Sequence, residues 1–310
     1  MNLPDNLLDR VNQGWTDHAK DAEGVFARFD GWVDLVTEKA HLAPVAALVA
    51  HVAGEHLGRY DAGIALLDRV AARRPQDAET PEGKAVVRQQ AALHLAAGRR
   101  LASDACEARA RVPGQPVASN RVRVAAFAAA MLAGQGQPER AGALLEEALA
   151  LADYHPGKDD PAARALAVTG NNVACALEEK ATRSLPDDAL MVRAAETGLR
   201  YWSVAGTWLE TERAHYRLAQ SLRKARRVER ALEHAATCLR MIEANGGDAF
   251  ERFYGHEVVA LAHHARGDAG AARAHRDAAA ALVTGLTDAD ARSMAEASLA
   301  ALDAALAGRA

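Results

Sequence analysis

Gly136-Gln-Pro-Glu-Arg-Ala-Gly-Ala-Leu-Leu-Glu-Glu-Ala148 opens on a turn and then sets alanine, at Ala141 and Ala148, near the fifth and twelfth positions of a helix. The same layout returns in Arg226-Arg-Val-Glu-Arg-Ala-Leu-Glu-His-Ala-Ala-Thr-Cys238, with Ala231 and Cys238, and in Gly267-Asp-Ala-Gly-Ala-Ala-Arg-Ala-His-Arg-Asp-Ala-Ala279, with Ala272 and Ala279. An earlier copy, Leu57-Gly-Arg-Tyr-Asp-Ala-Gly-Ile-Ala-Leu-Leu-Asp-Arg-Val70, places Gly63 and Val70 there and runs on to Pro75; a weaker one begins at Gly98. Ahead of each copy lies another apolar helical stretch, with a small residue some seven positions before the turn, clearest at Ala129, Ala219 and Ala260. A recurring unit of this kind is a helix pair that buries its apolar face only by stacking on the next pair. Small residues at the crossings let the two backbones approach, where a bulky side chain would hold them apart.

Working outward, the breaks between helical stretches carry helix-start chemistry. Thr80-Pro81-Glu82 sets a capping hydroxyl, and Asp160-Pro161 a capping carboxylate, before a proline at the first helical position. Thr207-Trp-Leu-Glu210 reads as a capping box behind Gly206, and Thr287 with Asp290 repeats the box pattern. Half the residues are hydrophobic but only 5% are aromatic. Much of the apolar share is alanine, which suits close-packed helices. No convincing alternating run of β-branched and aromatic residues predicts a strand.

These features resemble the tetratricopeptide-repeat (TPR) family over roughly residues 41–284. The resemblance implies an all-α, right-handed α-solenoid of antiparallel helix pairs, with residues 1–40 as an atypical N-terminal helical segment and 285–310 as a C-terminal capping helix. The stretch 159–206 is an irregular repeat: the insertion Lys180-Ala-Thr-Arg-Ser-Leu-Pro-Asp-Asp188 is expected to be a long loop, and the following helix lacks the alanine spacing. The tryptophan that often opens the family's first helix is missing from these copies. An Ala-rich bundle and a HEAT-like solenoid are the competing folds.

Composition limits function. Net charge is −4, from 37 basic and 41 acidic residues, so no overall electrostatic footprint for nucleic acid exists. Met1–Arg10 shows no basic region or apolar core of a leader, and the longest apolar run, 124–133, is too short to cross a bilayer. A cytoplasmic protein is expected, with Cys106, Cys175 and Cys238 as buried, reduced thiols without ligand spacing. Twelve histidines raise the question of a metal. His51-Val-Ala-Gly-Glu55-His56 has one residue too many for an inverted zinc-protease motif, and His256-Glu257 lacks a second histidine at Ala260. His263 and His264 point about 100° apart on a helix. Phosphate-cradling loops and a nucleophile elbow are also absent from the sequence. No enzyme, metal or cofactor is expected.

The first helix of each pair lines the concave side of such an array, so its residues at spacings of three and four form the candidate binding strip. That strip runs from Val45, Leu48 and Val52 through Arg88, Gln89, Arg123, Asn171 and Asn172 to Arg213, Tyr216, Arg217 and Gln220, ending at Tyr254 and Glu257. Arginine binds carboxylates bidentately and tyrosine offers contact area at low entropic cost, which suits a peptide. Some TPR proteins clamp a partner's terminal carboxylate with an Asn on one repeat and two basic residues on the next. Asn172, Arg213 and Arg217 match those places, while Ala126 and Ala130 stand where further polar residues would be. Helix-surface salt links of Arg213 with Glu210 or Glu212 are the plainer alternative. The expected function is a scaffold or adaptor that binds a protein or peptide partner, without nucleic acid or membrane. The alternatives are a regulatory module for a signalling peptide, an enzyme with a pocket not visible in the sequence, and self-assembly into a homodimer.

Overall fold

The computed structural model describes residues 6–308. The first five residues of the stretch read for a leader, and the last two of the 285–310 segment, lie outside the described residues. The chain divides into two compact units, Met1–Thr169 and Gly170–Ala310. The first holds α1 (Leu7–Asp17), α2 (Ala22–Asp34), α3 (Leu42–Ala50), α4 (Tyr60–Arg73), α5 (Pro81–Ala96), α6 (Arg100–Arg109), α7 (Val117–Gly134) and α8 (Pro138–Leu151). The division falls within α9 (Pro161–Glu179). The second unit continues with α10 (Leu185–Ala205), α11 (Trp208–Lys224), α12 (Val228–Ala244), α13 (Ala249–Arg266), α14 (Ala269–Val283) and α15 (Ala289–Ala307). No strand occurs among the described residues.

Neighbours in sequence pack as hairpins, with α5 against α6, α7 against α8, α11 against α12 and α13 against α14. In the second unit their antiparallel sense is visible in side-chain contacts. Glu212, early in α11, meets Cys238, late in α12, while the more central His215 meets His234. The small residues sit at the crossings, as the spacing predicts: Ala129, Ala141, Ala148, Ala219, Ala231, Cys238, Ala260, Ala272 and Ala279 are each no more than 2% exposed. At Gly63 a Cβ would come within 2.9 Å of the Ala53 Cβ and 3.1 Å of Leu93. Glycine there lets α4 approach its partner more closely than alanine would.

The helix-start signals form largely where they were read. Thr80 caps α5 by accepting from the Gly83 amide at 3.2 Å, and Thr207 and Glu210 close a reciprocal box at the start of α11. Two expectations shift. Asp288, not Thr287, caps α15, its carboxylate accepting from the Ala291 amide at 2.8 Å. The insertion is shorter than a long loop, because Ser184 and Asp187 build a capping box and the rest of it becomes the first turn of α10. A strong local cap thus overrides the loop reading of Pro186-Asp-Asp188.

The hairpin turns repeat to the atom. After α5, α7, α12 and α13 a glycine with positive φ (Gly98, Gly136, Gly246, Gly267) ends the helix. The next amide then donates to the carbonyl five residues back, as in Arg99 to His94, Gln137 to Leu132, Gly247 to Ile242 and Asp268 to His263. After α11 the same turn is made by Arg226, at φ 58°, with Arg227 donating to Leu222 at 2.8 Å. A side chain at that φ costs roughly 1–2 kcal/mol. Arg226→Gly is therefore expected to stabilise the protein by about 1 kcal/mol, visible as a raised urea midpoint with unchanged slope.

Candidate interaction face

The residues of the strip fall into two groups, one in each unit. In the first unit Val45, Leu48 and Val52 do not line a surface at all; each is fully buried in the core. Their apolar run lies where α3 is covered by α1, α4 and α5, so it is sequestered, and this corrects the expectation. Arg88 is also buried. Its Nε donates to Asn120 Oδ1 at 2.7 Å, and the Asn120 amide donates to the Glu107 carbonyl at 3.0 Å. Burial and the neighbouring Arg123 push the Arg88 guanidinium down to about 9. Arg123 is half-buried and also lowered by desolvation, which Asp160 partly offsets. Its Nε is buried without a hydrogen-bond partner.

In the second unit the first helices are laced together by buried carboxylates. Glu178 on α9 accepts from Arg217 Nη1 and from Ser221 Oγ, both on α11, while Lys224 Nζ donates to the Glu178 carbonyl at 2.6 Å. Glu257 on α13 accepts from the Tyr216 hydroxyl at 2.7 Å and from Ser298 on α15 at 2.7 Å. Gln220 donates to the Tyr216 hydroxyl at 3.1 Å and accepts from Arg223 at 2.8 Å. Tyr254 packs edge-on to Tyr216, ring centres 5.9 Å apart, and against Phe250 and Phe253. Arg213 donates to Glu251 on α13 with more than half of its side chain left exposed.

Tyr216 and Gln220 thus share one hydrogen-bond network through Glu257, and Tyr254 joins Tyr216 by ring packing. Arg217 belongs to the Glu178 cluster and lies over the Tyr216 ring, and Arg213 lies one helical turn before Tyr216 on α11. Asn171 donates to Asn172 at 3.2 Å, and Asn172 is exposed. The two arginines differ in kind: Arg217 is held against a buried carboxylate, whereas Arg213 is a surface group pinned from behind. The shortest salt links span helices, because Glu178 and Glu251 stand on the adjacent first helices, and along α11 Glu212 Oε1 also lies 3.9 Å from Arg213 Nε. Glu178 was not a sequence candidate; it reads as an ordinary helix-surface acid until packing buries it.

Glu212 adds an unusual element. It is 2% exposed, and its Oε1 meets no hydrogen-bond donor while Oε2 accepts from the Cys238 thiol at 3.2 Å. Burial, and then its hydrogen bond with Glu251, push the carboxyl up to about 8. The carboxyl therefore keeps its proton where an ordinary glutamate has lost it. Cys238 is itself held well above the thiol range by burial and by Glu212, so it is an inert thiol. Cys106 and Cys175 are free and half-buried.

No protein-family model and no curated protein matches the chain. Among solved structures, the TPR domain of P58(IPK) is similar over 97% of this chain and 98% of that one, at 13% identity and a TM-score of 0.26. The helix pairs described above, with their small crossing residues, define the architecture on their own. The fold is a TPR-like array of helix hairpins. No described helix is long and apolar enough to cross a membrane.

Two outcomes follow from this geometry. Arg217→Met strands the Glu178 carboxylate in the interior and is expected to cost about 3 kcal/mol in urea unfolding, whereas Arg213→Gln costs no more than about 1 kcal/mol. For Glu212 the folded state binds a proton that the unfolded chain releases near 4.5, so its contribution is full below that pH and is lost as pH rises through about 8. Glu212→Gln should therefore flatten the fall in stability between pH 5 and 8, a difference on the order of a few kcal/mol by equilibrium unfolding at stepped pH.

Proposed function

We propose that this chain is a non-catalytic protein-interaction module that holds an extended peptide segment of a partner against the first-helix face of its second unit. The observation that carries this reading is the disposition of α11 and α13. Arg213 is exposed and offers donors that Glu251 does not use up, and one turn later Tyr216 stands edge-on to Tyr254. Each group is pinned from behind by a buried carboxylate, Glu251 under Arg213 and Glu257 under Tyr216. Side chains locked in this way lose little entropy on binding, and Arg with Tyr is the composition of interface anchors. Exposed Asn172 supplies an amide that can pair with a peptide backbone. The arginine and the amides fit a partner that carries an acidic side chain or a carboxylate terminus.

Arg217 is committed to Glu178 and therefore supports the face more than it contacts the partner. Arg88, being buried, is placed in the same structural role in the first unit. Arg123 keeps an unpartnered buried Nε and remains a candidate contact there.

The test is affinity capture from a lysate of the source cells with wild-type protein and the double variant Asn172→Ala, Arg213→Gln. A partner held by the wild type and reduced at least about tenfold by the double variant, but unaffected by Thr237→Ala on α12, places the interaction on this face. Equal retention by all three proteins would move the site elsewhere.

A further inference from the structure

We propose that His18, His51 and His56 in the first unit form a binding site for a divalent transition-metal ion of the zinc class. One ring nitrogen from each lies within 4.8 Å of the others. The three imidazoles form a near-equilateral triangle, with ring centres 4.8, 4.8 and 4.9 Å apart. His18 follows the last residue of α1, whereas His51 and His56 begin and end a π-helical turn, His51–His56, that continues α3.

The π turn is what makes the site. On an α-helix, residues five apart point about 140° away from each other and could not share an ion. Here the helix is widened by one residue: Leu57 donates to the Val52 carbonyl, five back, and Arg59 after the turn glycine Gly58 donates to Ala53, six back. The other hairpin turns of this pattern close at five. The extra residue brings His56 Nε2 to 3.1 Å from His51 Nε2. Two nitrogens bound to one tetrahedral zinc at 2.0–2.1 Å stand roughly 3.3–3.4 Å apart, so this pair needs almost no rearrangement. Single-turn π insertions are frequent at functional sites. Gly54 permits this one, since a Cβ there would lie 2.7 Å from Met131 Sδ, and Gln135, just after α7, anchors the turn by donating to the Glu55 carbonyl at 2.8 Å.

Two of the three ligands are also set in the required tautomer. His18 Nδ1 lies 2.7 Å from the Trp15 carbonyl, which can only accept, so Nδ1 carries the proton and Nε2 keeps its lone pair. His51 Nδ1 lies 2.9 Å from Glu55 Oε2, the carboxylate–histidine arrangement that orients metal-ligating imidazoles and raises their basicity. His56 then moves its proton to Nδ1 on coordination. Three imidazoles and one water complete a tetrahedral sphere. The ion would fasten the end of α1 to the π turn. The two other close histidine pairs, His215 with His234 and His256 with His275, meet through Nδ1 atoms; His263 stacks on His275 with ring centres 5.8 Å apart, but among the described residues neither pair gathers three ligand atoms as tightly as this one.

The experiment is calorimetric titration of the untagged full chain with Zn2+. One ion per chain is expected, with binding weakened at least about 100-fold by His51→Ala or His56→Ala and about 10–100-fold by Glu55→Gln, and unchanged by the double variant His215→Ala, His234→Ala. Because His56 is exposed, its replacement leaves the core intact, and equal helicity by circular dichroism separates lost coordination from lost structure. Zn2+ should also raise the melting temperature of the wild type and not of His56→Ala. Absence of stoichiometric binding, or equal affinity in wild type and His56→Ala, overturns the site.

Discussion

Backbone proximity at the helix crossings is the constraint on which the rest depends. An alanine, glycine or cysteine at most of the crossings brings paired helices close enough for their remaining side chains to interlock. Because those positions contribute little area of their own, stability has to come from the Leu, Val and Met side chains packed around them. The turn geometry serves the same end. A residue in the left-handed conformation reverses the chain within a few positions, so the second helix of a pair starts alongside the first. Arg226 shows that the conformation, not glycine itself, is conserved from turn to turn.

Close approach has an electrostatic consequence in the second unit. Helices packed this tightly bury whatever polar groups face the seam, and an unpaired charge there would be intolerable. The seam between first helices is instead lined with complementary groups: Glu178 with Arg217 and Ser221, Glu257 with Tyr216 and Ser298, and Glu251 with Arg213. Glu212 is the exception that uses protonation in place of a cation. This lattice fixes the spacing of one first helix to the next, so the side chains above it are presented by a stiff support.

Much of this was legible from residue order. The crossing alanines, the turns, and the Thr80 and Thr207 caps depend on neighbours within a few positions, and a repeat makes each of them visible several times. What depends on a distant partner was not legible. Val45, Leu48 and Val52 look like any apolar stripe, and only the packing of α1, α4 and α5 around α3 makes them core. Arg213 and Arg217 are a single turn apart in sequence and each meets a buried acid, yet Arg213 leaves more than half of its side chain exposed and Arg217 only about a quarter. The cap at Asp288 was misread by one residue because Thr287 and Asp290 also satisfy the box pattern, and the true cap lies between them.

The histidines show the same limit in sharper form. Motifs that assume an unbroken α-helix do not fit His51 and His56, because a spacing of five on such a helix is useless for coordination. Nothing in His51-Val-Ala-Gly-Glu55-His56 announces a π turn except Gly54, and its role emerges only against Met131 on another helix. The third histidine comes from α1, a segment outside the repeat pattern. An added residue in a helix that otherwise follows a strict repeat costs the regular hydrogen-bond register, while Val52 and Ala53 within the turn stay fully buried. What it returns is convergence, with three imidazoles on one point and two of them already holding the proton on the far nitrogen. The irregularities of a repeat fold are therefore its most informative positions: regular ones report how the array holds together, and departures from them report what else the chain has been shaped to do.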